Sequence, residues 1–369
     1  MADIEIGLGK SGRRAYGLDE IAIVPSRRTR DPEAVDLSWE IDAFRFDLPL
    51  LGAACDSVTS PATAVRLGEL GGAGVLHVEG IWTRYDDPEP VLEEIATLAD
   101  AKATARLQEI YGEPIKPELV RARIEQIKAA GVTCAVAVSP QRTVELADQI
   151  LRAEPDLLVI QATIVSAEHV SRAVEPLNLK SFIRRFELPV VVGGCTSYQA
   201  ALHLMRTGAA GVLVGAGSGT ASTTRDVLGV GVPSATAIAD ARSARMRHLD
   251  ETGVYVHVIA DGGMTTGGDV AKAIVCGADA VVLGAPLAAA TDAPGRGYHW
   301  GMPAVHAVLP RGHRVAVEQV GTLEEVLFGP AHDGDGRRNL MGALRQTMSL
   351  TGYETVKELQ KADLVVTSP

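Results

Sequence analysis

Three glycine-rich segments in the second half of the chain carry residue types suited to holding a phosphorylated sugar. In 260–269 (ADGGMTTGGD), Gly262 and Gly263 can turn backbone N–H groups toward a phosphate while Asp261 offers a carboxylate to a sugar diol. The stretch 283–295 (LGAPLAAATDAPG) is again led by a glycine. In 214–233 (VGAGSGTASTTRDVLGVGVP), glycines alternate with hydroxyl side chains, a composition that wraps a phosphate or coordinates a cation through carbonyls. Taken singly, Asp261-Gly262 also reads as a tight turn, and 214–233 as a flexible loop ahead of an N-capped helix. Adjacency of the three in one fold would separate these readings.

The elements that must position them repeat along the chain: a short apolar run, a Gly or polar loop, then a segment of helical period. The runs are 48–54, 73–78, 133–139, 156–161, 188–193, 210–215, 255–260 and 280–284, each of strand length. Helical stretches at 60–70, 143–153, 198–207, 234–249 and 269–276 lie between them, several opening on Ser, Thr or Asp. Eight such units predict an α/β fold, a (β/α)8 TIM barrel with its core at about 48–290, although an open doubly wound sheet shows the same alternation. The interval 81–131 exceeds one helix and predicts two helices or a helical arm. An N-terminal extension precedes the barrel. The tail, 295–362, reads as a lid, with a mobile stretch at 331–339 and a closing helix near 340–360, all in one domain.

Composition agrees with that architecture. Of 369 residues, 46% are hydrophobic but only 4% aromatic, so packing relies on the small and branched aliphatics of buried parallel strands. The net charge of -11, without a dense Lys/Arg cluster, argues against a nucleic-acid partner. No run has the length and apolarity of a membrane span and no signal core opens the chain, which predicts a cytoplasmic protein. Cys55, Cys134, Cys195 and Cys276 are far apart and read as packed thiols.

Together, YGLDEIAIVPSRRT near the start, PLLGAACDSVTSPATAVRLGELGGAGVLH, and ADGG followed by VVLGAPLAAATDAPG resemble the IMP dehydrogenase and GMP reductase family across nearly the whole chain. The interval 81–131 is too short for the paired CBS modules of many members, so the chain looks like the CBS-less, IMP dehydrogenase-related branch of actinobacteria and cyanobacteria. The resemblance implies a purine nucleoside monophosphate as ligand, NAD as cofactor, K+ as a further ion and a homotetrameric assembly. It implies that Asp261 binds the ribose hydroxyls and that Gly263 and Gly284, with Gly262 beside them, give N–H groups to the 5'-phosphate, to which Thr220 adds a hydroxyl. Ala285, Gly301 and Met302 complete the substrate side. Gln161, Gly215 and Gly217 fall on the cofactor side, and carbonyls of Gly215, Gly217 and Ser222 would hold the cation.

Departures from the family pattern bear on mechanism. The family's cysteine attacks C2 of IMP, hydride passes to NAD, and water releases XMP; here that position is Ser222, whose hydroxyl is un-ionised without a strong base. His299, His306 and His313 of the tail are the residues that could approach it. Thr224 matches the threonine that assists water in the dehydrogenase and deamination in the reductase. Arg311 stands where the family reads the purine N1 edge, and Arg311 or Arg314 is the available substitute for the water-activating Arg-Tyr pair. Ala53, Cys55 and Ala285 replace polar or shape contacts. The implied activity is oxidation of IMP to XMP with NAD. The alternatives are a catalytically impaired nucleotide-binding homologue, a GMP reductase, and an FMN-dependent barrel oxidoreductase.

Overall fold

The computed structural model describes residues 4–170 and 177–367. Eight parallel strands close into a barrel: β1 Leu50–Gly52, β2 Ala73–His77, β3 Ala135–Val138, β4 Leu157–Gln161, β5 Val190–Cys195, β6 Gly211–Val214, β7 His257–Asp261 and β8 Ala280–Leu283. Each lies on one of the eight apolar runs, β5 extending two residues past its run to Cys195 and β7 one residue to Asp261. Closure is made by β8 on β1, with Val281 opposite Leu50 and Leu283 opposite Gly52. The open-sheet alternative is thereby excluded.

Side chains alternate along each strand, so one set faces the helices and the other the axis. Leu51, Val75, Ala137, Val159, Val191, Leu213, Ile259 and Val282 point inward and pack together. At the N-terminal end this core is closed by a hairpin, Trp39–Ile41 with Phe44–Phe46, whose Trp39, Ile41 and Phe46 join the same cluster. Two residues further along each strand, the inward positions become Ala53, His77, Ser139, Gln161, Gly193, Gly215, Asp261 and Gly284. The change from branched aliphatics to glycine and polar residues marks the mouth of the barrel, where the site must lie.

The interval after β2 forms three helices, Glu89–Thr97, Asp100–Ile110 and Pro117–Lys128, where two helices or an arm were expected. Leu98 breaks the first from the second with an extended backbone, and Pro117 restarts the third. The closing helix is also divided: Leu340–Thr351 ends at Gly352 in a left-handed conformation (φ 73°), and Thr355 caps a second turn at Val356–Leu359. The stretch 331–339, expected to be mobile, is tied down by Arg337, which pairs with Glu318, and by Asn339, which caps the following helix. After that, Leu364–Val366 pairs antiparallel with Ile21–Ile23, clasping the N-terminal extension to the C-terminal end. No helix among the described residues is long and apolar enough to cross a membrane.

Because Ile41 is fully buried in the hairpin that seals the barrel, Ile41→Ala should lower unfolding free energy by about 2–5 kcal/mol in denaturant titration. The dependence on denaturant concentration should stay the same.

Candidate functional site

At the mouth, the loops after β6 and β7 lie backbone to backbone. Gly215, Gly262 and Gly263 all have positive φ (157°, 82° and 80°). A Cβ on Gly215 would stand 1.9 Å from the Asp261 carbonyl oxygen, and one on Gly262 2.9 Å from Ser218 Oγ. These glycines are therefore required by close approach as well as by conformation. Ser218 Oγ donates to the Asp261 carbonyl at 3.2 Å, fastening the two loops. The loop after β8 joins them: Thr220, Thr265, Ala285 and Pro286 line one cavity of about 210 Å³. The three glycine-rich segments are adjacent, as the phosphate reading required.

Asp261, the last residue of β7, accepts a 2.9 Å hydrogen bond at Oδ2 from the amide of Gln161 on β4, across the barrel. Burial raises its carboxyl to about 6, against the lowering effect of that amide. Gln161 thus gives one of its two side-chain N–H groups to that carboxylate. Thr163, two residues on, has a buried hydroxyl without a hydrogen-bond partner. Its carbonyl lies 3.1 Å from where a Cβ of Gly194 would stand, a position that also abuts the Gly215 carbonyl. The carbonyls of Gly215, Gly217 and Ser222 accept no backbone hydrogen bond among the described residues.

The loop after β6 carries Ser222 to the tail. Ser222 and Gly312 form an antiparallel bridge, with Thr223 N donating to the Arg311 carbonyl (3.1 Å) and His313 N to the Ala221 carbonyl (3.2 Å). The Ser222 hydroxyl meets Thr224 Oγ1 at 3.1 Å and the Thr224 amide at 3.3 Å. None of His299, His306 and His313 hydrogen-bonds to it: His306 turns Nδ1 back to the amides of Val308 and Leu309, His313 engages through its backbone, and His299 goes elsewhere. Nor does a cysteine stand in, since burial pushes the thiols of Cys55, Cys134, Cys195 and Cys276 up to about 12. Thr220 is exposed and Thr224 buried, and Gly301 precedes the short helix Met302–Val305, with Met302 half-buried.

Arg311 is held by its backbone, its Nη1 reaching the Leu309 carbonyl at 3.3 Å. Arg314 lies outside the site: its side chain is fully buried, packed 3.9 Å over the Tyr298 ring, and it donates to the carbonyls of Ile95 and Leu98 and to Asp100. It anchors the tail to the helical arm. Gln108 adds bonds to the carbonyls of His306 and Ala307, and Arg296 pairs with Glu89 and Glu93.

Sequence reasoning did not find a second polar cluster, next to Gly284. His299 packs against Gly284, its Cε1 and Nε2 each 3.3 Å from a Cβ placed there. Its Nδ1 lies 2.9 Å from Ser57 Oγ, which also contacts the backbone O and N of Trp300. The Trp300 indole donates to Tyr111 Oη (2.9 Å), which donates to buried Asp56 (2.5 Å). A larger cavity of about 440 Å³ lies on the outer side, between Ser60, Trp82 and Arg296. Its arginines are already engaged: Arg296 as above, and Arg123 on the carbonyls of Trp82 and Asp86.

Residues 15–368 match the family described as the IMP dehydrogenase / GMP reductase domain. An oxidoreductase of Mycolicibacterium smegmatis, named as uncharacterized, is 49% identical over 99% of this chain and 100% of its own length. One of Mycobacterium tuberculosis, named likewise, is 50% identical over 98% and 99%. Inosine-5'-monophosphate dehydrogenase of Methanocaldococcus jannaschii is 26% identical over 97% of this chain and 93% of its own. The crystal structure of an IMP dehydrogenase/GMP reductase-like protein from Corynebacterium glutamicum superposes with a TM-score of 0.94 at 45% identity, covering 99% of this chain and 97% of that one.

A Cβ at position 312 would lie 2.6 Å from the Ala221 carbonyl oxygen. Gly312→Val should therefore separate the tail from the Ser222 loop. Hydrogen exchange at the amides of Thr223 and His313 should accelerate by roughly tenfold or more, while barrel-strand amides keep their protection.

Proposed function

The chain belongs to the IMP dehydrogenase / GMP reductase family, and on that premise we propose that it binds a purine nucleoside 5'-monophosphate, IMP first among them, as an NAD-linked oxidoreductase whose first chemical step is impaired at Ser222. The observation that carries this reading is the convergence of the three glycine-rich loops at one mouth, Thr220 and Ala285 lining one cavity and Gly215 backing on Asp261, beside a Ser222 hydroxyl whose hydrogen-bond partners are the Thr224 hydroxyl and amide. Donors at a helix start and in a glycine loop suit a phosphate, and a carboxylate beside them suits a diol. The relatives' description as oxidoreductases supports the reaction class.

In the proposed complex, Asp261 takes hydrogen bonds from the ribose hydroxyls and orients the base toward Ser222. Thr220 and the amides of Gly263 and Gly284 hold the phosphate. Attack on C2 of IMP requires the nucleophile to lose its proton. A hydroxyl bonded to a threonine has no acceptor basic enough, whereas a thiol at that place is partly ionised at neutral pH. Thr163, whose hydroxyl has no hydrogen-bond partner and whose carbonyl lies near Gly194, fits the carboxamide of a nicotinamide, and NAD held there would supply the hydride acceptor. The uncommitted carbonyls of Gly215, Gly217 and Ser222 fit a monovalent cation that would fix the loop's curvature. Assembly as a homotetramer belongs to the same proposal.

Two outcomes are expected. With IMP, NAD and K+, Ser222→Cys should form NADH, followed at 340 nm, at least ~10²-fold faster than the natural sequence. Equal rates would mean that another group activates Ser222, and no turnover by either protein while IMP binds would leave a binding protein. Because Asp261 titrates near 6 and the ribose hydroxyls bind its ionised form, affinity for the unphosphorylated nucleoside, inosine, should fall as pH drops from 7 to 5. Asp261→Asn should remove that step and weaken binding by about 1.5–3 kcal/mol in calorimetry.

A further inference from the structure

The cluster beside Gly284 contains a hydroxyl whose hydrogen bonds can be assigned by counting. A serine hydroxyl has one proton to give and two lone pairs to accept with. Ser57 Oγ is approached by the Trp300 amide at 3.2 Å, which can only donate, and it faces the Trp300 carbonyl at 3.0 Å, which can only accept. No backbone donor reaches that carbonyl among the described residues. The serine proton therefore goes to Trp300 O. One lone pair remains for His299 Nδ1 at 2.9 Å, and that nitrogen must carry the proton. The Cys55 thiol, at 3.6 Å, is the long and weak contact of the set.

With the proton on Nδ1, Nε2 is a bare lone pair, and it is the Cε1–Nε2 edge that packs against Gly284. A phosphate monoester is mostly a dianion above pH 7, and a dianion does not settle against a lone pair. Resting on the nucleotide reading above, we propose that Ser57 fixes His299 as the Nδ1–H tautomer, so that seating a 5'-phosphate at Gly284 draws one proton from solvent onto His299 Nε2. The imidazolium then donates to a phosphate oxygen while its Nδ1–H stays on Ser57. Binding is thus coupled to proton uptake, and the site discriminates a phosphorylated nucleoside from the free one by that coupling.

The surroundings allow the step to be isolated. Burial alone lowers the free imidazole to about 4, so it is neutral in the unliganded protein at pH 7. The groups around the ring are Ser57 and Cys55 from the loop after β1, Gly284 after β8, and Trp300 with its Tyr111–Asp56 chain. The charges of Asp56 and Asp261 bear on Cys55, and Arg314, behind the neighbouring Tyr298, is engaged with Asp100. At pH 7.5 Asp261 is already ionised and contributes no proton.

The test is made on the full chain in two measurements. Imidazole 15N spectra of the unliganded protein at pH 7, with His299→Gln for assignment, should show the Nδ1–H tautomer for His299, and Ser57→Ala should release it to a mixture. An Nε2–H tautomer or an imidazolium overturns the proposal whatever binds. Calorimetry of IMP at pH 7.5 in buffers of different ionisation enthalpy should show uptake of about one proton, hence affinity rising about tenfold per unit fall in pH from 8 to 7. Uptake should vanish with inosine and in His299→Gln. IMP binding without uptake overturns the coupling and leaves the nucleotide reading standing. No IMP binding at all overturns both.

Discussion

A side chain at position 215 would run into the carbonyl oxygen of Asp261 at 1.9 Å, so the loops after β6 and β7 can touch only while that residue is glycine. The rest of the mouth follows from this contact. It lets Ser218 reach across to the Asp261 carbonyl, and the β6 loop runs on to an edge at 221–223. The tail takes that edge as its hydrogen-bonding partner at Gly312, which again must lack a side chain. Ser222 therefore sits between two glycine contacts, its position set by backbone, and its hydroxyl is left to Thr224.

Electrostatically, the mouth is a place where charge is costly until a ligand arrives. Asp261 is held near 6 and His299 near 4, both by loss of water, so the two groups move toward neutrality from opposite sides. Such a cavity suits a ligand that brings both a diol and an anion. Among the described residues no cationic group bonds to the Ser222 oxygen, and the buried thiols are raised far from ionisation. Position and reactivity have come apart in this site.

The barrel was legible because its strands are apolar on both faces and each ends at or just before a glycine or polar residue, a signal local to seven or eight positions. Asp261 and the three loops could be read for the same reason. His299, Ser57 and Tyr111 could not: Ser57 meets His299 across 242 residues and Tyr111 meets Trp300 across 189. A lone serine in CDSVTS carries no mark of a distant imidazole. Arg314 illustrates the opposite error, since a charged residue in a lid suggests chemistry, yet here it caps carbonyls at the end of Glu89–Thr97 and is fully buried. The division of the last helix was visible in Gly352 and in the Thr355 to Glu358 spacing, but hydrophobic period alone runs past both.

The arm after β2 and the tail after β8 are far apart in sequence and inseparable in space. Tyr298 is covered by Arg314, Arg314 is held by carbonyls of the arm, and Trp300 hangs its indole on Tyr111. The interval after β2 is here the footing of the tail. In this chain the two segments amount to one inheritable unit: a recombination event that exchanged the arm alone would leave a buried guanidinium and an indole without acceptors. The lid's lineage is thus tied to that of the arm, more closely than to the barrel between them.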